Sequence, residues 1–210
     1  MLSAETIVSL QDRKTSAWHL FDAGPGHSPD PSPGPSPEAN QDWLRLVASQ
    51  HRANFDLWHI EDEARAPGAS DTELAEVKRR VDQTNQRRND LAEELDRVLL
   101  AWLEARNLPD PAAPLHSESP GLMIDRLSIL ALKIYHTREE TKRADASQDH
   151  LERNRLRLAI LEEQRADLAN CLDALWRQTL AGARRFKLYR QLKMYNDPAL
   201  NPAIYGKQLR

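Results

Sequence analysis

Histidine and carboxylate side chains recur at helical spacing in the segment HRANFDLWHIEDEAR (residues 51–65). Residues three positions apart lie on one face of a helix, so His59 could bind a metal ion together with Asp56 or with Asp62. Di-metal helical bundles take such acid-x-x-His pairs from two helices, and this sequence has no second pair. We therefore assign no metal and keep only weak candidate ligands: His59, Asp62, Asp96 and Asp125.

Polar side chains also interrupt the apolar seams of all four long helical segments. The candidate pocket residues are His51, Asn54, Trp58, His59, Glu61, Asp62, Arg65, Asn85, Arg88, Asn89, Asp96, Asp125, Arg126, Lys133 and His136. Burying a charge without a partner costs several kcal/mol. Two interpretations stay open: an internal ion-pair network that fixes helix register, and a polar pocket inside the bundle.

The residue types in these stripes favour a small anionic or sugar ligand. Arginines such as Arg65 and Arg88 bind phosphate well, while Asn85, Asn89 and Trp58 suit the hydroxyls and the apolar face of a sugar. We expect one pocket to be lined by His59 or Asp62, by Arg88 or Asn89, and by Asp125 or His136.

Acidic pairs allow a second enzymatic interpretation. Bundles that cleave nucleoside triphosphates to monophosphate and pyrophosphate place paired acids around Mg²⁺ on neighbouring helices. Glu61/Asp62 and Glu93-x-x-Asp96 are distantly similar to that layout, although the first E-x-x-E of those enzymes is absent. Mg²⁺ is the cofactor that this alternative requires.

Several other chemistries have little support. The single cysteine, Cys171, excludes a disulfide framework and a cysteine zinc site, and its neighbours Leu168, Leu172 and Leu175 predict a buried, inert thiol. The formal charge of −3 argues against a generally basic nucleic-acid binder. No glycine-rich phosphate loop is present, and no apolar run is long enough to span a bilayer.

The elements that must position these residues are helices. No period-two strand pattern occurs. The starts of three helices are marked by local signals: a capping box formed by Ser70 and Glu73, the pair Ser119-Pro120, and Ser147 as an N-cap. We predict an all-α bundle of four to five long, mostly antiparallel helices. The predicted helices cover 2–15, 38–66, 70–107, the segment from Ser119 onward, and 147–195.

Composition divides the chain into four parts. We predict an N-terminal helix packing on the bundle (1–23), a flexible loop with six prolines (24–37), the helical bundle (38–196) and a basic C-terminal tail (197–210). Residues 184–210 carry seven basic side chains and one acid, so we expect this segment to dock on the acidic remainder. The absence of a signal peptide or membrane span predicts a cytoplasmic protein.

Four long blocks carry a family resemblance: HRANFDLWHIEDEAR (51–65), KRRVDQTNQRRNDLAEELD (78–96), SESPGLMIDRLSILALKIYH (117–136) and YRQLKMYNDPALNP (189–202). They resemble the bacterial domain-of-unknown-function family 4254, whose members tend to occur beside sugar-transfer and envelope-polysaccharide genes. The resemblance brings no settled biochemical role with it, but this gene neighbourhood and the polar stripes together favour a protein that binds or acts on a phosphorylated or nucleotide-linked sugar. The alternative is a non-enzymatic partner of glycan-assembly proteins, and a homo-oligomer is compatible with either.

Overall fold

The computed structural model describes residues 2–21, 38–192, 199, 200 and 202. Five helices make up the fold: α1 (Ala4–Phe21), α2 (Glu38–Glu63), α3 (Asp71–Glu104), α4 (Pro120–Glu140) and α5 (Gln148–Leu180). The described residues contain no β-strand and one isolated parallel bridge, between Leu115 and Arg185. The predicted all-α bundle is confirmed, whereas the proline-rich loop and nearly all of the basic tail lie outside the described residues.

Local sequence signals start the helices where expected. Ser70 and Glu73 form the complete capping box at the start of α3, and Ser119 caps α4 with Pro120 in its first turn. Ser147 likewise accepts a hydrogen bond from the backbone N–H of His150 at the start of α5. Each cap satisfies backbone donors that have no partner inside the helix.

The contacts between helices set their directions. Gln11 contacts Ile124 and Thr15 contacts His51, and the rings of His19, His59 and His136 meet further along, so α1, α2 and α4 run parallel. α3 and α5 run in the opposite direction within the antiparallel pairs α2–α3 and α4–α5. α4 touches every other helix, as its nearly uniform apolar sequence predicts.

The apolar core lies on the side of α4 toward the start of that helix. Its largest fully buried members include Ile7, Trp43, Leu95, Leu99, Leu103, Met123, Ile124, Leu127, Leu172 and Phe186. All five helices contribute to this cluster. The core therefore fixes one end of the bundle and leaves polar and aromatic residues to fill the other end.

The last helix is shorter than predicted, ending at Leu180 instead of near Tyr195. Gly182 has φ +70°, a left-handed conformation that terminates the helix. Beyond it the chain runs extended: the N–H of Arg185 donates to the Pro114 carbonyl, and Phe186 is buried in the core. Arg185 and Phe186 at the start of the segment thus dock as predicted, whereas Tyr189 and Leu192 are exposed, and docking of the rest of the segment stays a prediction.

Two other predictions need correction. α1 continues to Phe21 instead of ending near residue 15, because its last turn carries Trp18 and His19 onto α2 and α4. Cys171 is exposed, not buried; it lines a shallow groove of about 410 Å³ between α5 and the loop that carries Leu115. None of the described helices is both long and apolar enough to cross a membrane.

Candidate functional site

A fully buried polar layer joins α1, α2 and α4 at mid-height. His51 places one ring nitrogen 2.8 Å from the Thr15 hydroxyl and the other 2.7 Å from the Ser128 hydroxyl. The Asn54 amide donates to Ser128 and to Asp125, both at 2.9 Å. The Gln50 amide donates to the same Asp125 oxygen at 2.6 Å. The helices are thereby fixed in register across the layer.

Burial perturbs both ionisable groups of this layer. Desolvation lowers the pKa of His51 to about 3, so the imidazole is neutral at physiological pH. Desolvation also raises the pKa of Asp125, and the charge of Arg88 and the amides of Asn54 and Gln50 oppose that rise.

Arg88 of α3 closes the layer on one side. Its Nε lies 3.4 Å from Asp125 Oδ1 as an ion pair, and the arginine side chain is 25% exposed. This Nε is buried and forms no hydrogen bond with a described residue. Its two terminal guanidinium nitrogens likewise have no hydrogen bond to the described part of the protein, and Arg88 lines a groove.

That groove, of about 420 Å³, lies between α2, α3 and α4. Its lining residues are Asn54, Leu57, Trp58, Glu61, Asp62, Arg65, Arg88, Ile129 and Leu132. At its rim, Arg65 donates to the Glu61 carbonyl at 2.7 Å and lies 3.6 Å from the Asp62 carboxylate. The groove thus has a cation on its inner side, mixed charges at its rim and an aromatic wall.

Three histidines from the three parallel helices meet beyond the polar layer. One potential ligand atom from each of His19, His59 and His136 lies within 4.8 Å of the other two. Nδ1 of His19 is 2.8 Å from the Thr15 carbonyl, and Nδ1 of His59 is 2.9 Å from the Phe55 carbonyl. Because a carbonyl only accepts, both Nδ1 atoms carry the proton, which in the neutral ring leaves the lone pair on Nε2.

Aromatic rings enclose this histidine cluster. Trp58 stacks on His136 with centroids 4.8 Å apart, Tyr135 stacks on His19 at 4.2 Å, and Phe55 stacks on His59 at 4.3 Å. Desolvation, followed by the charges of the other two histidines, lowers the pKa of His136 to about 4. Its Nε2 is buried and lacks a hydrogen-bond partner among the described residues.

The groove and the histidine cluster adjoin each other. Trp58 lines the groove and also stacks on His136. Asp62 lines the groove, and its negative charge acts on His136 in the sense that raises the pKa. The groove and the histidine cluster are therefore neighbours that share the Trp58 side chain.

The family model described as a protein of unknown function, DUF4254, matches residues 44–188, which is more than half of the chain. The chain belongs to the DUF4254 family. The match includes the groove and two of the three clustered histidines, His59 and His136, while His19 precedes it. No curated protein and no solved structure matches this chain.

Ten of the fifteen candidate residues lie in the three connected features of this DUF4254 chain. Asn54, Trp58, Glu61, Asp62, Arg65 and Arg88 line the groove, His51 and Asp125 belong to the polar layer, and His59 and His136 belong to the cluster. The expected combination of Asp62 with Arg88 occurs in the groove itself. Asp125 and His136 stand behind it, in contact with Arg88 and Trp58.

The other five lie elsewhere. Arg126 pairs with Glu118 on the outside at 2.9 Å, and Lys133 is exposed. Asn85 and Asn89, one half-buried and one buried, are not among the groove residues. These positions follow from small rotations of α3 and α4, which helical periodicity alone does not fix.

Asp96 is the fifth, and it serves the start of α4. It accepts hydrogen bonds from the Ser119 hydroxyl and, at 2.7 Å, from the N–H of Gly121. Desolvation raises the pKa of Asp96 to about 6. Gly121 is required by close approach, because a Cβ there would lie 2.2 Å from the Ala92 carbonyl oxygen. Asp96 therefore helps to join α3 to α4.

The carboxylates do not assemble as the Mg²⁺ alternative requires. In the described part of the chain, the histidine cluster is the sole group of three or more potential ligands within metal-binding distance. Asp96 is bonded to α4, and Glu93 accepts the N–H of Gln191 at 2.7 Å. Asp125 is held by amides in the polar layer. Of the four weak metal candidates, His59 alone belongs to the cluster.

Sequence reasoning missed residues on α1 above all. One face of α1 presents Ile7, Gln11, Thr15 and His19 at intervals of four residues, so extending the predicted helix past residue 15 adds His19 to that face. Gln50 and Ser128, which complete the polar layer, lie one turn from Asn54 and Asp125 respectively. The apolar groove residues Leu57, Ile129 and Leu132 carry no chemical signal of their own.

Proposed function

We propose that the groove between α2, α3 and α4 binds a phosphorylated or nucleotide-linked sugar. The observation that carries this proposal is the state of Arg88. A partly buried guanidinium whose terminal nitrogens form no hydrogen bond to the described protein residues is available to an anion. Arginine binds phosphate with two parallel N–H donors, a geometry that a terminal phosphate group accepts.

Asp125 positions this arginine. The carboxylate is itself held by the Gln50 and Asn54 amides, so the ion pair at 3.4 Å orients the guanidinium from behind. A side chain that is held before binding loses less conformational entropy when the ligand arrives. The polar layer thus supports the groove in addition to fixing the helix register.

The remaining lining suits the sugar portion. Glu61 and Asp62 offer carboxylate oxygens to hydroxyls, and Trp58 offers an aromatic surface to the apolar face of the ring. Two arginines and two carboxylates leave the lining without net charge. This balance favours a ligand that combines one phosphate group with several hydroxyls over a bare polyanion.

Thermal shift followed by calorimetric titration tests the proposal on the full chain. Glucose 6-phosphate and UDP-glucose serve as probes, with glucose and inorganic phosphate as the partial ligands. We expect one of the two probes to raise Tm by mass action. Arg88→Lys should weaken that binding at least about tenfold, since lysine lacks the paired donors.

Arg126→Lys is the matched control, because Arg126 lies on α4 with its charge paired to Glu118 outside the groove. It should bind the probe as the wild type does. Equal binding by wild type and Arg88→Lys, or the absence of binding by either probe, contradicts the proposal.

A second candidate function is protein binding, as expected for a partner of glycan-assembly proteins. Leu156 and Ile160 lie one turn apart on α5 and are 67% and 54% exposed. An exposed apolar pair of this kind favours association with another protein surface. Sedimentation of the wild type and of Leu156→Glu checks whether a second copy is the partner. The predicted cytoplasmic location belongs to both candidate functions and is tested by cell fractionation.

A further inference from the structure

We propose that His19, His59 and His136 together bind one divalent transition-metal ion, with Zn²⁺ as the fitting example, and leave one coordination position for water. The proposal is independent of what the groove binds. It rests on the donor chemistry, the geometry and the surroundings of the three imidazoles.

The donor chemistry is that of a metal site. Metal-binding histidines usually donate one ring N–H to a backbone carbonyl or carboxylate, which fixes the tautomer and turns the other nitrogen toward the ion. His19 and His59 each do so with the carbonyl four residues earlier, those of Thr15 and Phe55. Their Nε2 atoms therefore carry the lone pairs.

His136 supplies the third nitrogen. Its Nε2 is buried and lacks a hydrogen bond to any described residue, an arrangement that destabilises the fold when nothing else satisfies the atom. A metal ion coordinated by this nitrogen removes that cost. Stacking on Trp58 with an interplanar angle of 5° holds the imidazole ring in place.

The geometry requires small side-chain adjustments. The three ligand atoms lie within 4.8 Å of one another, whereas ligand atoms about 2.1 Å from a tetrahedral Zn²⁺ are roughly 3.4 Å apart. The nitrogens would approach one another by rotation about the side-chain bonds, with the His136 ring remaining stacked on Trp58.

The number and type of ligands indicate the class of ion. Three neutral imidazoles suit Zn²⁺ and its transition-metal neighbours and are poor ligands for Mg²⁺ and Ca²⁺, which prefer oxygen. Closed structural zinc sites use four protein ligands, whereas sites with three keep a position for water. The two acids three residues from His59 on α2 are both paired with arginines, Asp56 with Arg52 at 2.6 Å and Asp62 with Arg65 at 3.6 Å.

Aromatic side chains cover the three imidazoles and so exclude water from part of the site. Phe55, Trp58 and Tyr135 each cover one of the imidazoles. Because Trp58 lines the groove and stacks on His136, one aromatic side chain lies between the groove and the proposed metal site. A water bound to the metal would be more acidic than bulk water.

Direct metal titration of the full chain tests the proposal. The untagged protein is stripped with a chelator, dialysed and titrated with Zn²⁺ alone by calorimetry, and the bound metal is counted by elemental analysis. We expect one Zn²⁺ per chain with a dissociation constant below about 1 µM. Co²⁺ provides a second readout, since tetrahedral nitrogen coordination gives intense visible absorption bands that a surface-bound ion lacks.

Histidine variants assign the ligands. His59→Gln and His136→Gln should each weaken Zn²⁺ binding at least about 100-fold and abolish the Co²⁺ bands. His150→Gln is the matched control, because His150 lies on α5 and pairs with Glu140 away from the cluster; it should bind metal as the wild type does. Circular dichroism checks the fold of each variant, and His59→Gln alone decides the assignment if His136→Gln does not fold.

Two outcomes overturn the proposal. One is binding of Zn²⁺ no tighter than about 100 µM by the wild-type chain. The other is tight binding that survives in His59→Gln or that is lost equally in His150→Gln. In either case the three imidazoles are an aromatic packing cluster only.

Discussion

His51 and His59 lie two turns apart on α2, and their different hydrogen-bond partners give them different roles. Both ring nitrogens of His51 meet a hydroxyl, those of Thr15 and Ser128, and the side chain is fully buried. His59 commits only Nδ1, to the carbonyl of Phe55, and its ring stays half-buried beside two other imidazoles. Both nitrogens of His51 are therefore hydrogen-bonded within the protein, whereas Nε2 of His59 is available to bind a ligand.

The difference shows which feature of its surroundings determines whether a histidine has a structural or a binding role. Residue type and helical spacing are the same at both positions, and both rings stack on an aromatic neighbour, Trp18 for His51 and Phe55 for His59. The two histidines differ in the second ring nitrogen, which is hydrogen-bonded in His51 and has no hydrogen bond to a described residue in His59. We expect removal of His51 to act mainly on stability and removal of His59 to act mainly on binding.

The largest expected effect is that of His51→Ala. It removes a buried ring and strands the hydroxyls of Thr15 and Ser128, so the free energy of unfolding should fall by about 3 kcal/mol or more. His59→Gln should cost about 1 kcal/mol or less in metal-free protein. Urea denaturation of the two variants measures both values, and equal losses would remove the distinction between the two histidines.

The variant Arg88→Ala measures how much the Arg88–Asp125 ion pair contributes to the stability of the polar layer. Arg88→Ala leaves Asp125 without its charge partner, and we expect a loss of about 2 kcal/mol at pH 7, reduced from the cost in a dry interior because the pair is partly exposed. Asp125→Asn in the same chain should restore most of this stability. A double variant as unstable as Arg88→Ala would show that the loss comes from packing and not from charge.

The pH dependence of stability follows from the lowered pKa of His51. Below about pH 6.5 the unfolded chain protonates this histidine, while the folded chain, with a pKa of about 3, does not. Stability from this group is therefore present above pH 6.5 and falls as the pH decreases, by about 2 kcal/mol at pH 5. Urea denaturation at pH 7 and pH 5 should therefore show that the wild type loses about 2 kcal/mol more stability than His51→Asn does, because the other titrating groups, His136 among them, contribute in both chains.

Asp96 has the opposite effect on the pH dependence of stability, so its variant is a control for the His51 measurement. Its folded pKa is raised to about 6, so the folded chain takes up a proton before the unfolded one and gains about 1 kcal/mol between pH 7 and pH 5. Asp96→Asn should therefore make the chain more acid-sensitive than the wild type. A decrease in acid sensitivity would contradict the raised pKa.

The smallest expected effect is that of His150→Gln. His150 lies 2.8 Å from the Glu140 carboxylate, and both side chains are about one-third exposed, so water screens the contact and competes with it. Denaturation at pH 7 should give this variant a free energy of unfolding close to that of the wild type. A loss as large as that expected for Arg88→Ala would contradict this ranking.

The candidate site was only partly predictable from the sequence. The stripe of His51, Asn54 and Trp58 identified the correct face of α2, because residues at 3-4 spacing share a face wherever the helix lies. The same reasoning placed Asp96 with the pocket residues, whereas its hydrogen bonds go to Ser119 and Gly121. Periodicity gives the face of a helix but does not give its rotation or its neighbours.

The sequence by itself determined the helices and most of their boundaries. The capping box of Ser70 and Glu73 and the break at Pro67-Gly68 act within one turn of backbone, so no distant residue is needed to explain them. The end of α5 at Leu180 has a local cause in Gly182, whereas tertiary structure decided that the chain beyond it turns to bury Phe186 in the core. Tertiary structure also decided that His19 reaches His59 and His136, since parallel packing of α1, α2 and α4 depends on contacts such as the one between Gln11 and the Ile124 carbonyl. Local hydrogen bonds can be recognised from neighbouring residues, whereas the joining of distant side chains is determined by the packing of the whole bundle.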